Sequence, residues 1–214
     1  MVRDGYFYGL GLLIVALIVW SVSHMAVLVA VPVILAAFFL WFFRDPSRTV
    51  PAGPGLIVSP ADGKVEELEW IEFPEGGRLR LTIFLNVFDV HVNRVPVGGV
   101  VTLSEHHEGQ FMNAMKPESA IHNEQTLLTI DAGEYSVSFK QIAGLLARRI
   151  VNDLKVGDRV ERGQRMGLIK FGSRVDVLMP AETTPRVKVG DRVKGGSSVL
   201  GVLRPVEPKL GGQR

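Results

Sequence analysis

A mainly β (α+β) soluble domain, carried behind an N-terminal pair of membrane-spanning helices, is the fold class this sequence predicts, and three observations predict it. Residues 5–43, 39 in a row, contain no Asp, Glu, Lys or Arg. From residue 45 onward the chain breaks into short runs of Val, Ile, Leu and Phe separated by Gly, Asp and Pro, the pattern of strands and turns rather than of long amphipathic helices. A Lys-Val-Gly-Asp-Arg-Val hexapeptide occurs at 155–160 and again at 188–193, an offset of 33 residues. The 214 residues, 47% of them hydrophobic, allow one domain plus an appendage. Lys and Arg number 24 against 22 acidic residues, and no run of like charges marks a nucleic-acid arm, so no nucleic-acid partner is expected. The chain has no cysteine, which excludes disulfide frameworks, thiolate zinc sites, iron–sulfur clusters and cysteine nucleophiles.

The apolar stretch comes first. At about 1.5 Å per residue a single helix of this length would be nearly twice as long as a ~30 Å hydrocarbon core is thick, whereas two spans fit. Ser21, Ser23 and His24 form its one clearly polar cluster and divide it into 5–20 and 25–43, so the turn belongs there. A second apolar segment follows at once, unlike the soluble remainder that follows a cleaved signal peptide. Arg3 precedes the first span and Arg44 and Arg48 follow the second, an arrangement that puts both ends in the cytoplasm. Residues 1–44 are thus expected to be a hairpin in the cell (inner) membrane, with residues 45–214 facing the cytoplasm. Trp20, Trp41, Phe42 and Phe43 suit interfacial aromatic belts, and Pro32 is a kink that membrane helices tolerate.

The connector, Asp45-Pro46-Ser47-Arg48 through Pro51-Ala52-Gly53-Pro54-Gly55, marks the domain boundary. After it, strands are expected over 79–87, 100–103, 125–130, 135–139, 166–170 and 175–179, with short helices over 111–120 and 141–149. In each hexapeptide copy Gly supplies backbone angles that other residues resist and Asp bonds its own turn. Two copies suggest hammerhead-like β repeats of the kind seen in lipoyl and biotinyl carriers. A carrier displays a Lys on the hairpin tip between its halves, and here Lys170 is the sole Lys near that place, so a carrier role is disfavoured.

Phe171-Gly172-Ser173-Arg174 lies between the strand-like runs 166–170 and 175–179. Alone, a Gly-Ser pair is a turn. Two further segments give it context: Ser59-Pro60-Ala61-Asp62-Gly63-Lys64-Val65 sets a carboxylate in a tight turn, and the run from Phe84 to Pro96 carries Asp89-Val90-His91 at a strand end. With Gly109-Gln110-Phe111, Asn123-Glu124 and the Gly-rich approach 156–167, these segments resemble the phosphatidylserine decarboxylases. The resemblance is closest to the short bacterial and archaeal branch, which has Phe-Gly-Ser-Arg in place of Leu-Gly-Ser-Thr.

That resemblance implies a self-processing enzyme. Ser173 would attack the Gly172 carbonyl to give an ester; elimination would then release residues 1–172 and leave dehydroalanine, which hydrolyses to an N-terminal pyruvoyl group. Ser is required because its oxygen is first nucleophile and then leaving group. His91 is the candidate general base and Asp62 the carboxylate that orients it, as in serine hydrolases. The better-known branch has a second His three residues after the first. This chain has Arg94 there, which cannot act as a base and suits a substrate phosphate or carboxylate instead. In turnover the pyruvoyl carbonyl would take up the amine of membrane phosphatidylserine and accept electrons as carbon dioxide leaves, with His91 returning a proton to form phosphatidylethanolamine. The two cleaved chains would stay together as a heterodimer, with a higher homo-oligomer allowed and no metal required. His106 and His107, beside Glu105 and Glu108, would point to opposite faces of a strand and read as a solvated loop. Gln125 stands where the family usually has Arg after Asn-Glu. The competing class is a non-enzymatic membrane-tethered adaptor in which Gly172-Ser173 is merely a turn, and whether the chain is cut discriminates the two. A third reading, a pyruvoyl enzyme for free amino acids, is disfavoured by the anchor.

Overall fold

In the computed structural model, which describes residues 2–72, 76–145, 149–170 and 172–203, the chain opens with two helices, α1 (Arg3–Ser23) and α2 (Ala26–Phe42). The polar cluster that separates them is spent on ending α1. Ser21 and Ser23 hydroxyls donate to the carbonyls of Ile18 and Val19 at 2.8 and 2.7 Å, and His24 takes a left-handed conformation with its N–H on the Trp20 carbonyl. The helices then run back along each other. The Val2 N–H meets the Phe43 carbonyl at 3.1 Å, and a side chain at Gly9 would come within 2.5 Å of Leu40, so glycine lets the two backbones approach. Their outer surfaces are apolar and bare, with Phe7, Leu17, Val22 and Ile34 all exposed. By length and composition α1 can cross a membrane; α2, at 17 residues, lies at the short end of the range.

After α2 the regular structure of the described residues is almost entirely strand, joined by turns and loops. In chain order it forms β1 (Leu56–Val58), β2 (Gly63–Ile71), β3 (Arg78–Leu85), β4 (Val92–Arg94), β5 (Gly99–His107), the one-turn helix α3 (Ser119–His122), β6 (Gln125–Asp131) and β7 (Ser136–Ile142). There follow β8 (Ile150–Asn152), β9 (Arg159–Val160), β10 (Arg165–Ile169), β11 (Ser173–Pro180), β12 (Thr184–Pro185), β13 (Arg192–Val193) and β14 (Val199–Val202). Eight of them make one curled sheet of order β13-β2-β3-β11-β7-β6-β5-β9, antiparallel throughout. Two small sheets, β1-β14-β12 and β4-β10-β8, complete it. Period-two alternation sets the core face: Leu81, Ile83 and Leu85 of β3, Val175 and Val177 of β11, Val137 and Phe139 of β7, and Leu128 and Ile130 of β6 are all fully buried in one cluster.

The two hexapeptide copies occupy equivalent places at opposite edges of this sheet. In each, the Asp carboxylate accepts the N–H of its own Lys, Asp158 from Lys155 at 2.8 Å and Asp191 from Lys188 at 3.0 Å. Each Gly, Gly157 with φ 94° and Gly190 with φ 96°, then donates to a sheet carbonyl, Val101 and Val65 respectively, at 2.8 Å. The copies lead into β9, paired with β5, and β13, paired with β2, so both outer edges end in the same tied turn.

The expected strands are present, with β3, β5, β6, β7, β10 and β11 over the predicted runs. Both helix expectations need correction. Over 111–120 the chain makes successive turns, and helix begins at Ser119, because Pro117 has no N–H with which to continue a helix from 111. Of 141–149, Gln141 and Ile142 close β7, where they pair with β11, and residues 146–148 lie outside the described residues. His106 and His107 are surface side chains of β5, beside Glu124 and Glu105.

Candidate active site

The site is assembled where β3 hands the chain to β4 and β10 hands it to β11. After β3 a turn over 86–89 is tied by three hydrogen bonds: Asn86 N–H to the Asp89 carboxylate at 2.9 Å, Phe88 N–H to the Asn86 side-chain oxygen at 2.7 Å, and Asp89 N–H to the Asn86 carbonyl at 3.0 Å. His91 follows directly and is 2% exposed. Its Nδ1 lies 3.0 Å from the Asp89 carbonyl oxygen, which can accept and not donate, so Nδ1 carries the hydrogen. Nε2 therefore presents a lone pair, and the Gly172 N–H donates to it at 3.2 Å. Burial lowers the His91 pKa to about 4, against the opposing pull of the Asp89 hydrogen bond and charge, so the imidazole is neutral at ordinary pH. The Phe42 ring, from the last turn of α2, covers it at 4.4 Å between centroids.

Ser173 is the first residue of β11, opposite Leu85 of β3, and is fully buried. Its Oγ has no hydrogen-bond partner among the described residues, an unusual state for a buried hydroxyl. Phe171, which opens the four-residue motif, lies outside the described residues. Gly172 takes a left-handed φ of 60°, and beyond its chain neighbours no atom of a described residue lies within 4 Å of where a Cβ would stand, so backbone conformation rather than room calls for glycine. Room decides the case at Gly144 instead. A Cβ there would sit 2.2 Å from the Gly172 carbonyl oxygen, the carbonyl of the Gly172–Ser173 bond.

Asn123 holds that neighbourhood together. Its Nδ2 donates to the carbonyls of Ala143 at 2.7 Å and Met112 at 2.9 Å, while its Oδ1 accepts the Met112 N–H. A side chain at Gly109 would lie within 2.5 Å of the His122 carbonyl, so the Gly-x-Phe and Asn-Glu segments meet by close backbone approach beside the Gly172 carbonyl.

Asp62 and Arg94 are placed elsewhere. The Asp62 carboxylate accepts from Arg48 at 2.8 and 2.9 Å and from the Gly195 N–H at 2.8 Å; the group that orients His91 is the Asp89 carbonyl. Arg94 donates to the Asp45 carboxylate at 2.6 Å and the Gly163 carbonyl at 3.0 Å, and Asp45 also pairs with Arg165. Its guanidinium is thus committed to the connector. Arg174 lies on the other face of β11, 3% exposed, bonded to Asp176, Thr82 and Glu67, where it fixes the start of the strand. Sequence reasoning missed Gly144, the Asp89 carbonyl and the cover supplied by Phe42. The arrangement pairs a neutral imidazole lone pair with a buried serine and a carbonyl whose carbon belongs to a residue with no side chain, the parts that acyl transfer at Gly172 requires.

The comparisons with known proteins agree in direction. A family model described as phosphatidylserine decarboxylase matches residues 35–201. A phosphatidylserine decarboxylase proenzyme of Solibacter usitatus is 50% identical over 202 residues, 94% of this chain and 95% of the relative. Proenzymes with the same description from Symbiobacterium thermophilum and Desulfotalea psychrophila are 50% and 42% identical, over 79% and 87% of this chain and 80% and 89% of their own lengths.

Proposed function

The chain belongs to the phosphatidylserine decarboxylase family, and from that premise we propose that it is a proenzyme that cuts itself between Gly172 and Ser173 and then decarboxylates phosphatidylserine to phosphatidylethanolamine. The observation that carries this reading is the buried Ser173 hydroxyl, without a hydrogen-bond partner among the described residues, one residue from the N–H that His91 Nε2 accepts. In processing, the Ser173 Oγ bonds to the Gly172 carbonyl carbon and its proton passes to Nε2, which must exchange the Gly172 N–H for the hydroxyl. The Gly172–Ser173 C–N bond breaks and frees the amine of residue 173. Loss of the Ser173 α-proton then expels the Gly172 carboxylate, and water replaces the nitrogen as ammonia, leaving the pyruvoyl group on residue 173.

The surroundings fit that group: Ser173 is fully buried, its hydroxyl has no hydrogen-bond partner among the described residues, and Gly144 packs against the Gly172 carbonyl without a side chain. The pyruvoyl group supplies an electron sink for loss of carbon dioxide. His91, Asp89 and Phe42 supply the rest, a neutral imidazole held in one tautomer, shielded from water, and able to take or return a proton at Nε2. Asp62 enters this reading as a positioning residue that fastens the connector through Arg48, and Arg94 as its second clamp through Asp45. Residues 1–44 form the membrane hairpin and 45–214 the decarboxylase domain on its cytoplasmic side, supported by the apolar outer surface of α1 and α2 and by Arg3 and Arg44 at one end. The cleaved chains remain a heterodimer because β11 is held between β3 and β7 of the larger one. The paired edge turns are the feature that supports a hammerhead-like repeat. The adaptor reading has no support among the relatives.

The test is intact mass. The purified protein should yield two species, the smaller being 42 of 214 residues of a 23.5 kDa chain, about 4.6 kDa, and lighter than the plain Ser173–Arg214 peptide by one ammonia. Ser173→Ala should run as one uncut chain. An uncut wild-type protein in lipid would overturn the reading.

A further inference from the structure

The loop that precedes His91 carries an exposed aromatic with no catalytic use. Phe88 is 71% exposed, yet the turn that presents it is tied by the three hydrogen bonds described above and by Arg192 on Asp89 at 2.9 Å, so its exposure is built rather than a product of a loose loop. Among the described residues its ring neighbour is Trp41, edge-on at 6.0 Å, itself 40% exposed at the C-terminal end of α2. Arg44 joins the two. Its guanidinium lies 4.0 Å over the Trp41 ring, Nη2 donates to the Phe88 carbonyl at 2.7 Å, and Nη1 donates to the Trp41 carbonyl at 3.1 Å. Phe88 is therefore continuous with the bare apolar surface of α2, at the level where that helix ends and its first cation stands.

We propose that the 86–89 loop is a second membrane contact, with Phe88 seated beside Trp41 in the interfacial layer of the bilayer that holds the hairpin and Arg44 and Arg192 facing its anionic head groups. This rests on the membrane reading of the hairpin. If α2 lies in hydrocarbon, its last turn stands at the interface, and a ring in contact with Trp41 stands at the same depth. An amphipathic edge of aromatics beside arginine suits that layer, where one end of a group is apolar and the other wet. The functional consequence concerns depth. His91 is three residues beyond Phe88, so the loop would hold the reacting groups at head-group level, where the serine amine of the lipid is found, and the lipid would not have to leave the bilayer.

The absence of cysteine makes this directly testable. Single substitutions Phe88→Cys, Trp70→Cys and Leu17→Cys in the full chain, each labelled with an environment-sensitive fluorophore, are reconstituted into vesicles of phosphatidylcholine and phosphatidylglycerol. Trp70 is the control: it is 60% exposed and pairs with Leu79 at the opposite end of β3, about 20 Å along the strand from the 86–89 turn. Nitroxide lipids labelled near the head group should quench the label at 88 several-fold more than the label at 70, and iodide in water should do the reverse. Equal behaviour at 88 and 70, with the label at 17 quenched by lipid, would overturn the proposal and leave the hairpin standing. A label at 17 that lipid does not reach would overturn the hairpin reading and this inference with it. Intact mass, read separately, reports on self-cleavage and is independent of either result.

Discussion

His91 and Arg94 stand three residues apart in one segment, and they are held in opposite ways. At His91 the two groups offered for reaction are uncharged: an imidazole whose Nε2 lone pair accepts the Gly172 N–H at 3.2 Å, and a buried serine hydroxyl with no hydrogen bond among the described residues. Around Arg94 the groups are charged and engaged, Asp45 between Arg94 and Arg165, and Asp62 between Arg48 and the Gly195 N–H. A satisfied ion pair holds geometry but has nothing left to give a reacting atom. An unsatisfied polar group costs stability but keeps its proton or lone pair available. The segment thus joins the proposed reactive centre to a belt that ties the helical pair to the sheet, and the two should respond differently to substitution.

The largest effects fall on the reactive side. His91→Gln retains a polar side chain without a base and should slow self-cleavage by about 10²–10⁴-fold, measured by the rate at which the smaller fragment appears after synthesis. Gly144→Ala should be comparably severe while leaving the base intact, because its methyl would stand 2.2 Å from the Gly172 carbonyl oxygen and must push the scissile bond aside. Cleavage at the wild-type rate in either variant would remove that residue from the processing machinery.

Next in size is a pH effect that runs through Phe42. Only neutral His91 can accept a proton, and burial sets its pKa to about 4, so cleavage should be level from pH 8 to about pH 5 and fall below that. Phe42→Ala opens the ring to water and should carry the midpoint upward toward the ordinary value of about 6.5, with Phe42→Leu between the two. The charges that bear on the imidazole are Asp89, which raises its pKa, and Arg44, which lowers it; both remain in these variants. A merely structural Phe42 would lower the rate at every pH and leave the midpoint in place. Stability follows the same linkage. The folded pKa lies below the unfolded one, so the unfolded chain takes the proton first. Stability is then level above about pH 6.5 and is lost as pH falls from there toward 4, by up to about 3 kcal/mol.

How much of this the sequence disclosed divides along similar lines. The helical pair and most strands were legible because charge-free length and alternating apolar residues act locally, whereas motif resemblance singled out His91 and Ser173 as candidates, which the fold brings together through the Gly172 N–H. The orienting group on His91 was not, because it is a backbone carbonyl, and any residue at 89 has one. Phe42 read as an interfacial aromatic because its contact with His91 spans 49 positions of chain. Gly144 lies in a segment that read as helix, and its need for a missing side chain arises from a carbonyl 28 residues away. Asp62 shows the converse: an Asp-Gly turn announces itself in sequence, but the partner of its carboxylate is chosen by the tertiary fold.

The smallest effects, and the sharpest division between the two regions, belong to Asp45→Asn and Asp62→Asn. Asp45 is almost wholly enclosed, and without its charge Arg94 keeps one carbonyl partner at Gly163 and one at Pro46; the expected loss is about 3 kcal/mol of stability by denaturant unfolding. Asn at 62 still accepts the Gly195 N–H and keeps a side-chain oxygen for Arg48, and with its own side chain 14% exposed it is less enclosed than Asp45, so about 1–2 kcal/mol is expected. Per folded molecule both variants should cleave within about tenfold of wild type and with an unmoved pH midpoint, since neither carboxylate bonds to the imidazole. The midpoint is the decisive reading for Asp62. Were its carboxylate to swing onto His91 during processing, as the triad of serine hydrolases would have it, Asp62→Asn would remove a charge that favours the imidazolium and lower the midpoint, while Asp45→Asn would not. A shift confined to Asp62 would move that residue from the belt to the reactive centre.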